Sequence, residues 1–307
     1  MDTMTEPQVR RHEFRAMGTT VALIAPIEPA AATTFLHAAR LVERQFEAQE
    51  QRFSRFRADS ELSQVNAGAG RSIVVSGPFA ALVATALEAA EASGGLFDPT
   101  LWHAMVEAGY DRDFDELIVA AREVLHPAAP TGRWREIVLE ADHLTLPVGV
   151  ALDLGGIAKG WTADRAAMEM GSLLPWAVVD AGGDLRVAGH LPQDGLEIGI
   201  EHPLHEEIEV LRLRLNGGAL ATSSVVRRSW GPNLHHLIDP RTGRPSTTEV
   251  LQATVWADRC VDAEVRAKEA LLSGPTALDH LSATLVLRDG AVVTNMTETS
   301  HAARATA

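Results

Sequence analysis

Apolar residues recur at helical spacing early in the chain and at strand-like spacing later. In "AAATTFLHAARLVERQFEAQEQRFS", residues 30–54, Phe35, Ala38, Leu41, Val42 and Phe46 share one side of a helix and the charged residues take the other. A second, alanine-rich helix is expected from Pro78 to Ser93, stopped by Gly94-Gly95, since glycine adopts the left-handed backbone that ends helices. Upstream, "FRAMGTTVALIAP" (14–26) alternates loosely and reads as a strand. The later two thirds read as sheet, with "WAVVDA", "DLRVAG", "LEIGIE", "VLRLRL" and "LQATVWA" punctuated by Gly, Asn-Gly and Pro turns. Helices return only at about 159–174 and 262–273, before a closing hairpin "ATLVLRDGAVVTN" (283–295) whose Asp289-Gly290 suits a tight turn. Helices and strands mix without strict βαβ alternation, which predicts an α+β domain. Residues 1–12 and 296–307 are polar or Ala/Thr-rich and are expected to lack order, leaving 13–295 as a single domain.

Composition narrows the function. The chain has 307 residues, 46% of them hydrophobic, enough for a substantial core. With 27 Lys+Arg against 41 Asp+Glu, its formal charge of -14 argues against a sequence-independent hold on nucleic acid, and an anionic ligand would need a local positive pocket. The single cysteine, Cys260, excludes an internal disulfide and a multi-cysteine zinc site, and reads as a strand-end residue rather than a nucleophile. Arg10-Arg11 precede the apolar "TTVALIAP", but Glu13, Arg15 and Gly18 intervene and the run is too short for an export signal. No stretch approaches the roughly 18 uncharged apolar residues of a membrane helix. These features lead to the expectation of a cytoplasmic protein with no integral membrane segment.

Candidate chemistry gathers where apolar strands end. "LDLGGIAKG" (152–160) runs a strand ending into two glycines and a lysine, and "WTADRAAMEM" after it reads as a helix. A helix start offers unpaired N–H groups to an anion, but neither the Walker A loop nor the G-x-G-x-x-G fingerprint is present. On this stretch alone, a phosphate loop and a tight turn with an exposed lysine stand equally. "VVDAGGDLRVAG" (178–189) again sets two glycines beside acids, "GGLFDPTLW" (94–102) puts Asp98 at a turn, and "HHLIDPRTGRP" (235–245) joins two histidines to an Asp-Pro turn. Each taken singly is accounted for as a cap or a turn.

Taken in order, these stretches resemble the ApbE family, the FAD:protein FMN transferases once named thiamine biosynthesis lipoproteins. The resemblance runs through "MGTTV" (17–21), "RFSRFRADSELSQVN" (52–66), "GLFDPT" (95–100), "GYD" (109–111), "LDLGGIAKGWTAD" (152–164), "DAGGDLRVAG" (180–189), "ALATSS" (219–224) and "HHLIDPRTGRP". It implies an ApbE-like, T-fold-related α+β domain with antiparallel sheets and packed helices. It also implies an enzyme that takes FAD as substrate, splits its pyrophosphate with a divalent metal, Mg²⁺, and attaches FMN by a phosphoester to a Ser or Thr of an acceptor flavoprotein. By the same resemblance Met17, Phe56, Leu96, Phe97, Asp98, Asp153, Lys159 and Ile238 contact FAD, the last in a register uncertain by one residue. Phe56 stands where the family usually has tyrosine, Gly156 supplies a carbonyl to the metal, and His236 acts in the transfer. A histidine suits that work because its unperturbed pKa of about 6.5 lets it take a proton near neutrality; Asp239 fixes the turn or orients the histidine rather than performing chemistry itself.

The sequence departs from the family in "CVDAEVRAKEALLSG" (260–274), where the family carries an Asp with a Thr four residues later, both ligating magnesium. Here Glu264 takes the first position and Lys268 the second. The i, i+4 spacing keeps both on one helix face, but a protonated lysine cannot ligate a hard cation. Three readings stand: metal held by Glu264, the Gly156 carbonyl and water, with Asp262 as a further donor; Lys268 in the cation's place; or turnover lost and an FAD-binding protein remaining. An FAD pyrophosphatase releasing FMN and AMP is a further alternative. Asp180 also replaces a common Asn, and Ser224 a usual Gly.

Overall fold

The expected first strand is a hairpin. In the computed structural model, which describes residues 8–27, 32–117, 131–231 and 233–297, β1 (Gln8–Ala16) and β2 (Thr19–Ile27) pair with Ala16 opposite Thr19, so that Met17-Gly18 alone makes the loop. Both loop residues have positive φ, +52° and +67°, the conformation that matches a two-residue turn to the twist of its strands. Glycine adopts it freely. Met17 does not, and its N–H is held by Glu50 Oε2 at 3.0 Å.

The chain continues through α1 (Ala32–Phe53), α2 (Glu61–Ala67), β3 (Ser72–Val74), α3 (Gly77–Ala92), α4 (Trp102–Glu107), β4 (Val138–Glu140), β5 (His143–Thr145) and α5 (Ala158–Leu173). Next come β6 (Trp176–Ala181), β7 (Asp184–Gly189), β8 (Leu196–His202), β9 (His205–Leu215) and β10 (Ala219–Ser224). Four short strands, β11 (Ser229–Gly231), β12 (Leu234–His235), β13 (Ile238–Asp239) and β14 (Arg244–Pro245), precede β15 (Val250–Ala257), α6 (Cys260–Ser273), β16 (Ala283–Leu287) and β17 (Val292–Thr294).

Eight strands form one sheet in the order β1-β2-β6-β7-β10-β15-β16-β17, antiparallel at every step. Alternate side chains face opposite ways. From β6, Ala177, Val179 and Ala181 join a core with Phe35 and Val42 of α1, Ala163 and Ala167 of α5 and Ala263 and Ala267 of α6. Trp176 and Val178 meet Ile200 and Leu213 of the β8–β9 hairpin on the other face. A second cluster packs α2 and α3 against the small β3-β5-β4 sheet, and includes Leu152, Leu154 and Ile157 just before α5. This is the α+β arrangement of antiparallel sheets and packed helices read from the sequence.

Some boundaries differ from expectation. Residues 8–12, expected to lack order, belong to β1, because pairing with residues 23–27 satisfies their backbone and an edge strand tolerates polar side chains. At the other end Met296, expected in the tail, is buried against the sheet. Residues 1–7 and 298–307 lie outside the described residues. Cys260 is the first residue of α6 rather than the end of a strand; it is buried, and burial holds its thiol pKa well above the ordinary value. α2 and the β3-β5-β4 sheet were not read at all: a seven-residue helix and three-residue strands are too short to show a period.

α5 and α6 lie close together at Gly160. A methyl group there would lie 2.7 Å from the Cys260 carbonyl oxygen and 3.0 Å from Glu264 Oε2. Gly→Ala inside a helix ordinarily stabilises by about 1 kcal/mol. Here the opposite sign is expected: Gly160→Ala should destabilise by about 1–3 kcal/mol through overpacking, read as a lower urea midpoint with unchanged slope.

Candidate active site

A cavity of about 810 Å³ opens where the β1–β2 turn, the segment before α4, the glycine turn before α5, the start of β7, the loop around His236 and α6 converge. Every residue given a role by the resemblance lines it: Met17, Phe56, Leu96, Phe97, Asp98, Asp153, Gly156, Lys159, His236, Ile238 and Glu264. Leu237 lines it too, so both registers of the 237–238 pair are compatible with contact.

One wall is aromatic. Phe56 is 38% exposed at the cavity, and its ring centroid lies 5.5 Å from that of buried Tyr110. The Arg55 guanidinium packs over both rings, at 4.5 Å and 4.2 Å, and its Nη1 lies 3.4 Å from Asp153 Oδ2. The sequence reading gave Arg55 and Tyr110 no role, although both stand inside quoted motifs, "RFSRFRAD" and "GYD". What it lacked was their meeting, which joins segments far apart in the chain.

Two of the expected contact carboxylates are committed to the protein's own backbone. Asp98 Oδ1 accepts from the Thr100 N–H at 2.8 Å and the Thr100 hydroxyl at 2.5 Å, and Oδ2 accepts from the Gly132 N–H at 2.6 Å. Asp153 Oδ1 accepts from the Gly155 N–H at 2.8 Å and so shapes the glycine turn. Its Oδ2 is buried with no hydrogen-bond partner among the described residues, which leaves Arg55 as its counter-charge.

The cavity floor is a cluster of four charges. Lys159 Nζ donates to Asp184 Oδ2, and to Glu264 Oε1 at 2.6 Å. Glu264 Oε2 accepts from the Gly160 N–H at 2.8 Å, and Lys268 Nζ donates to the Glu264 backbone carbonyl at 3.0 Å while lying 3.6 Å from Oε1. Burial alone would depress Lys159, but Asp184 and Glu264 outweigh it and keep the ammonium charged. Burial pushes Asp184 up to about 6 against the pull of Lys159. Burial acts upward on Glu264 too, but Lys159 and Lys268 win and hold it below the usual carboxylate value. Lys268 is lowered, chiefly by burial, with Glu264 opposing.

The lysine of "LDLGGIAKG" is therefore not the exposed lysine of a simple turn. The lysine does not project alone from the turn, and the Gly160 N–H at the start of α5 is already taken by Glu264. Gly156 keeps its bare backbone for a packing reason: a methyl there would lie 2.9 Å from Lys268 Cε and 3.4 Å from Phe97 Cε2.

His236 lines the cavity, and its Nδ1 is buried with no hydrogen-bond partner among the described residues. Burial, reinforced by Arg228, His235 and Lys268, holds its pKa well below 6.5. Asp239 bonds the Arg241 guanidinium and backbone N–H, which fits a role in the turn and not the alternative of orienting the histidine, whose Nδ1 it does not reach.

Residues 17–287 of the chain match the model of the ApbE family. The chain belongs to the ApbE family. It is 32% identical over 249 residues to a Treponema pallidum FAD:protein FMN transferase, covering 74% of this chain and 68% of that protein. A Vibrio cholerae protein of the same description is 28% identical over 242 residues, covering 76% and 72%. The fold matches the Thermotoga maritima ApbE protein with a TM-score of 0.81 at 24% identity over 94% of this chain and 97% of that one. It matches the Vibrio cholerae flavin transferase ApbE with a TM-score of 0.76 at 23% identity over 94% and 96%.

The family implies a divalent cation, and the residues present do not fit one. Both Glu264 oxygens already accept from protein donors, and the Lys268 stem lies against Gly156, the expected carbonyl ligand. Among the described residues no group of three or more His, Cys, Asp or Glu could hold a metal. Two like unit charges roughly 4 Å apart repel by about 4 kcal/mol at an effective dielectric of about 20, and a dication beside an ammonium doubles that.

Glu264 is 1% exposed and anchors this cluster. Glu264→Gln should destabilise the protein by about 3 kcal/mol near neutral pH, because it strips a buried pair of one member; urea unfolding measures it. Since the folded carboxyl titrates below its usual value of 4.5, the wild-type advantage should be full above that pH. It should fade as acid protonates Glu264 in the folded state.

Proposed function

We propose that this protein is an FAD:protein FMN transferase, moving FMN from FAD to a Ser or Thr hydroxyl of an acceptor flavoprotein. The observation that carries the reading is one cavity that combines an aromatic wall at Phe56, the Lys268 ammonium in its floor and a neutral imidazole at His236. A flavin dinucleotide needs all three: flat apolar surface for its rings, positive charge for its pyrophosphate, and a base for the attacking hydroxyl. The names of the curated relatives support the same reading.

In this reading the acceptor hydroxyl oxygen attacks the phosphorus on the FMN side of the pyrophosphate. A new P–O bond forms, the bond from that phosphorus to the bridging oxygen breaks, and AMP leaves with the bridging oxygen. The hydroxyl proton passes to the His236 imidazole, which is uncharged and able to receive it. Lys268 faces the charge on the phosphates, and Arg55 with Tyr110 backs the Phe56 ring. The misfit of the donor set makes magnesium no part of this scheme.

The test is incubation of the purified chain with FAD and a Ser/Thr-bearing acceptor. The expected product is a fluorescent acceptor band with a mass gain of one FMN. Free FMN and AMP without adduct would identify a hydrolase instead, and intact FAD a carrier.

The depressed His236 pKa fixes a further expectation. The general base should be deprotonated throughout the neutral range, so kcat/KM should stay level down to pH 6.5 and fall only at more acid pH. Arg228→Gln removes a cation that holds this pKa down and should move the acid limb upward. His236→Asn should lower transfer by about 10²- to 10⁴-fold.

A further inference from the structure

We propose that the Lys268 ammonium itself occupies the cation position facing the FAD pyrophosphate, so that this protein binds FAD without a divalent metal. The inference rests on the transferase reading above and concerns how that site neutralises its substrate.

Four observations converge on it. Lys268 lies one turn after Glu264 on α6 and lines the cavity, with 17% of its side chain exposed. Its stem fills the space beside Gly156, where a methyl group would come within 2.9 Å of Cε. Its ammonium has one hydrogen bond among the described residues, to the Glu264 carbonyl, so donors remain for an incoming oxygen. Lys159, by contrast, lies between Asp184 and Glu264. Of the two buried ammonium groups, Lys268 has two of its three donors unspent and is hydrogen-bonded only to a backbone carbonyl, whereas Lys159 has one unspent donor and sits between two carboxylates.

Net charge leads the same way. Lys159 and Lys268 balance Asp184 and Glu264, so these four groups carry no net charge and need no metal to reach that balance. An arriving pyrophosphate meets no net repulsion there, and it gains Lys268 as partner. A divalent cation would have to enter beside two ammonium groups and displace protein donors from Glu264.

The experiment titrates the full chain, stripped of flavin, with FAD in EDTA and in millimolar MgCl₂, following flavin fluorescence. Equal dissociation constants are the expected result. Tightening by about tenfold or more with magnesium, roughly the weight of one strong charge contact, overturns the inference and leaves the transferase reading standing. No FAD uptake in either buffer overturns both. Mn²⁺ provides an independent arm: its electron paramagnetic resonance signal should match that of Mn²⁺ with FAD alone, and a further protein-bound signal overturns the inference. Lys268→Met keeps the stem against Gly156 and loses the charge. Its FAD affinity should fall by about tenfold or more and stay low with magnesium. Unchanged affinity, or recovery with magnesium, counts against the proposal; if the variant does not fold, the wild-type titration decides alone.

Discussion

Two helices cap each other, and the site depends on it. The first turn of any helix leaves backbone N–H groups unpaired and carries partial positive charge. At the start of α6, the Cys260 and Val261 N–H groups donate to Asp164 of α5 at 2.8 Å and 3.0 Å. At the start of α5, the Gly160 N–H donates to Glu264 of α6 at 2.8 Å. Neither helix has a side-chain cap of its own; each borrows a carboxylate from the other. The exchange requires the two N-terminal turns to lie almost in contact, which the missing side chain of Gly160 permits.

The charged floor of the cavity follows from that contact. Glu264 must be buried to reach the Gly160 N–H, and a buried carboxylate needs cations. Lys159, immediately before Gly160, supplies one and brings Asp184 of β7 into the cluster; Lys268, one turn along α6, supplies the other. A protein of formal charge -14 thus offers an anion a favourable place without a basic surface. The cations are grouped inside, each partly balanced, and Lys268 keeps more of its donors free than Lys159 does.

The remainder of the cavity is drawn from both hydrophobic clusters. Phe97 belongs to the cluster of α2 and α3, while the Met17 turn packs against this cluster and the main helix-covered sheet alike. The aromatic wall is held through Arg55 and Asp153, both beside residues of the α2 and α3 cluster.

The sequence by itself determined the element types and the candidate residues. α1 was legible because one face of it is apolar at the helical period, and β6 because it is a short apolar run bounded by turn residues; the family motifs named a residue set that does line one cavity. Its reach stopped at partnership. Lys159 read as a phosphate ligand, yet its ammonium lies between Asp184, 25 residues away, and Glu264, 105 residues away. Gly160 was given no role, yet it is where α5 meets the start of α6. Asp98 read as a turn residue, and it does bond the backbone at Thr100, but its second partner, the Gly132 N–H, is 34 residues away. Periodicity is local and survives in a string of letters. Which carboxylate neutralises which ammonium is set by how closely two helices cross, and only the packed tertiary structure decides that.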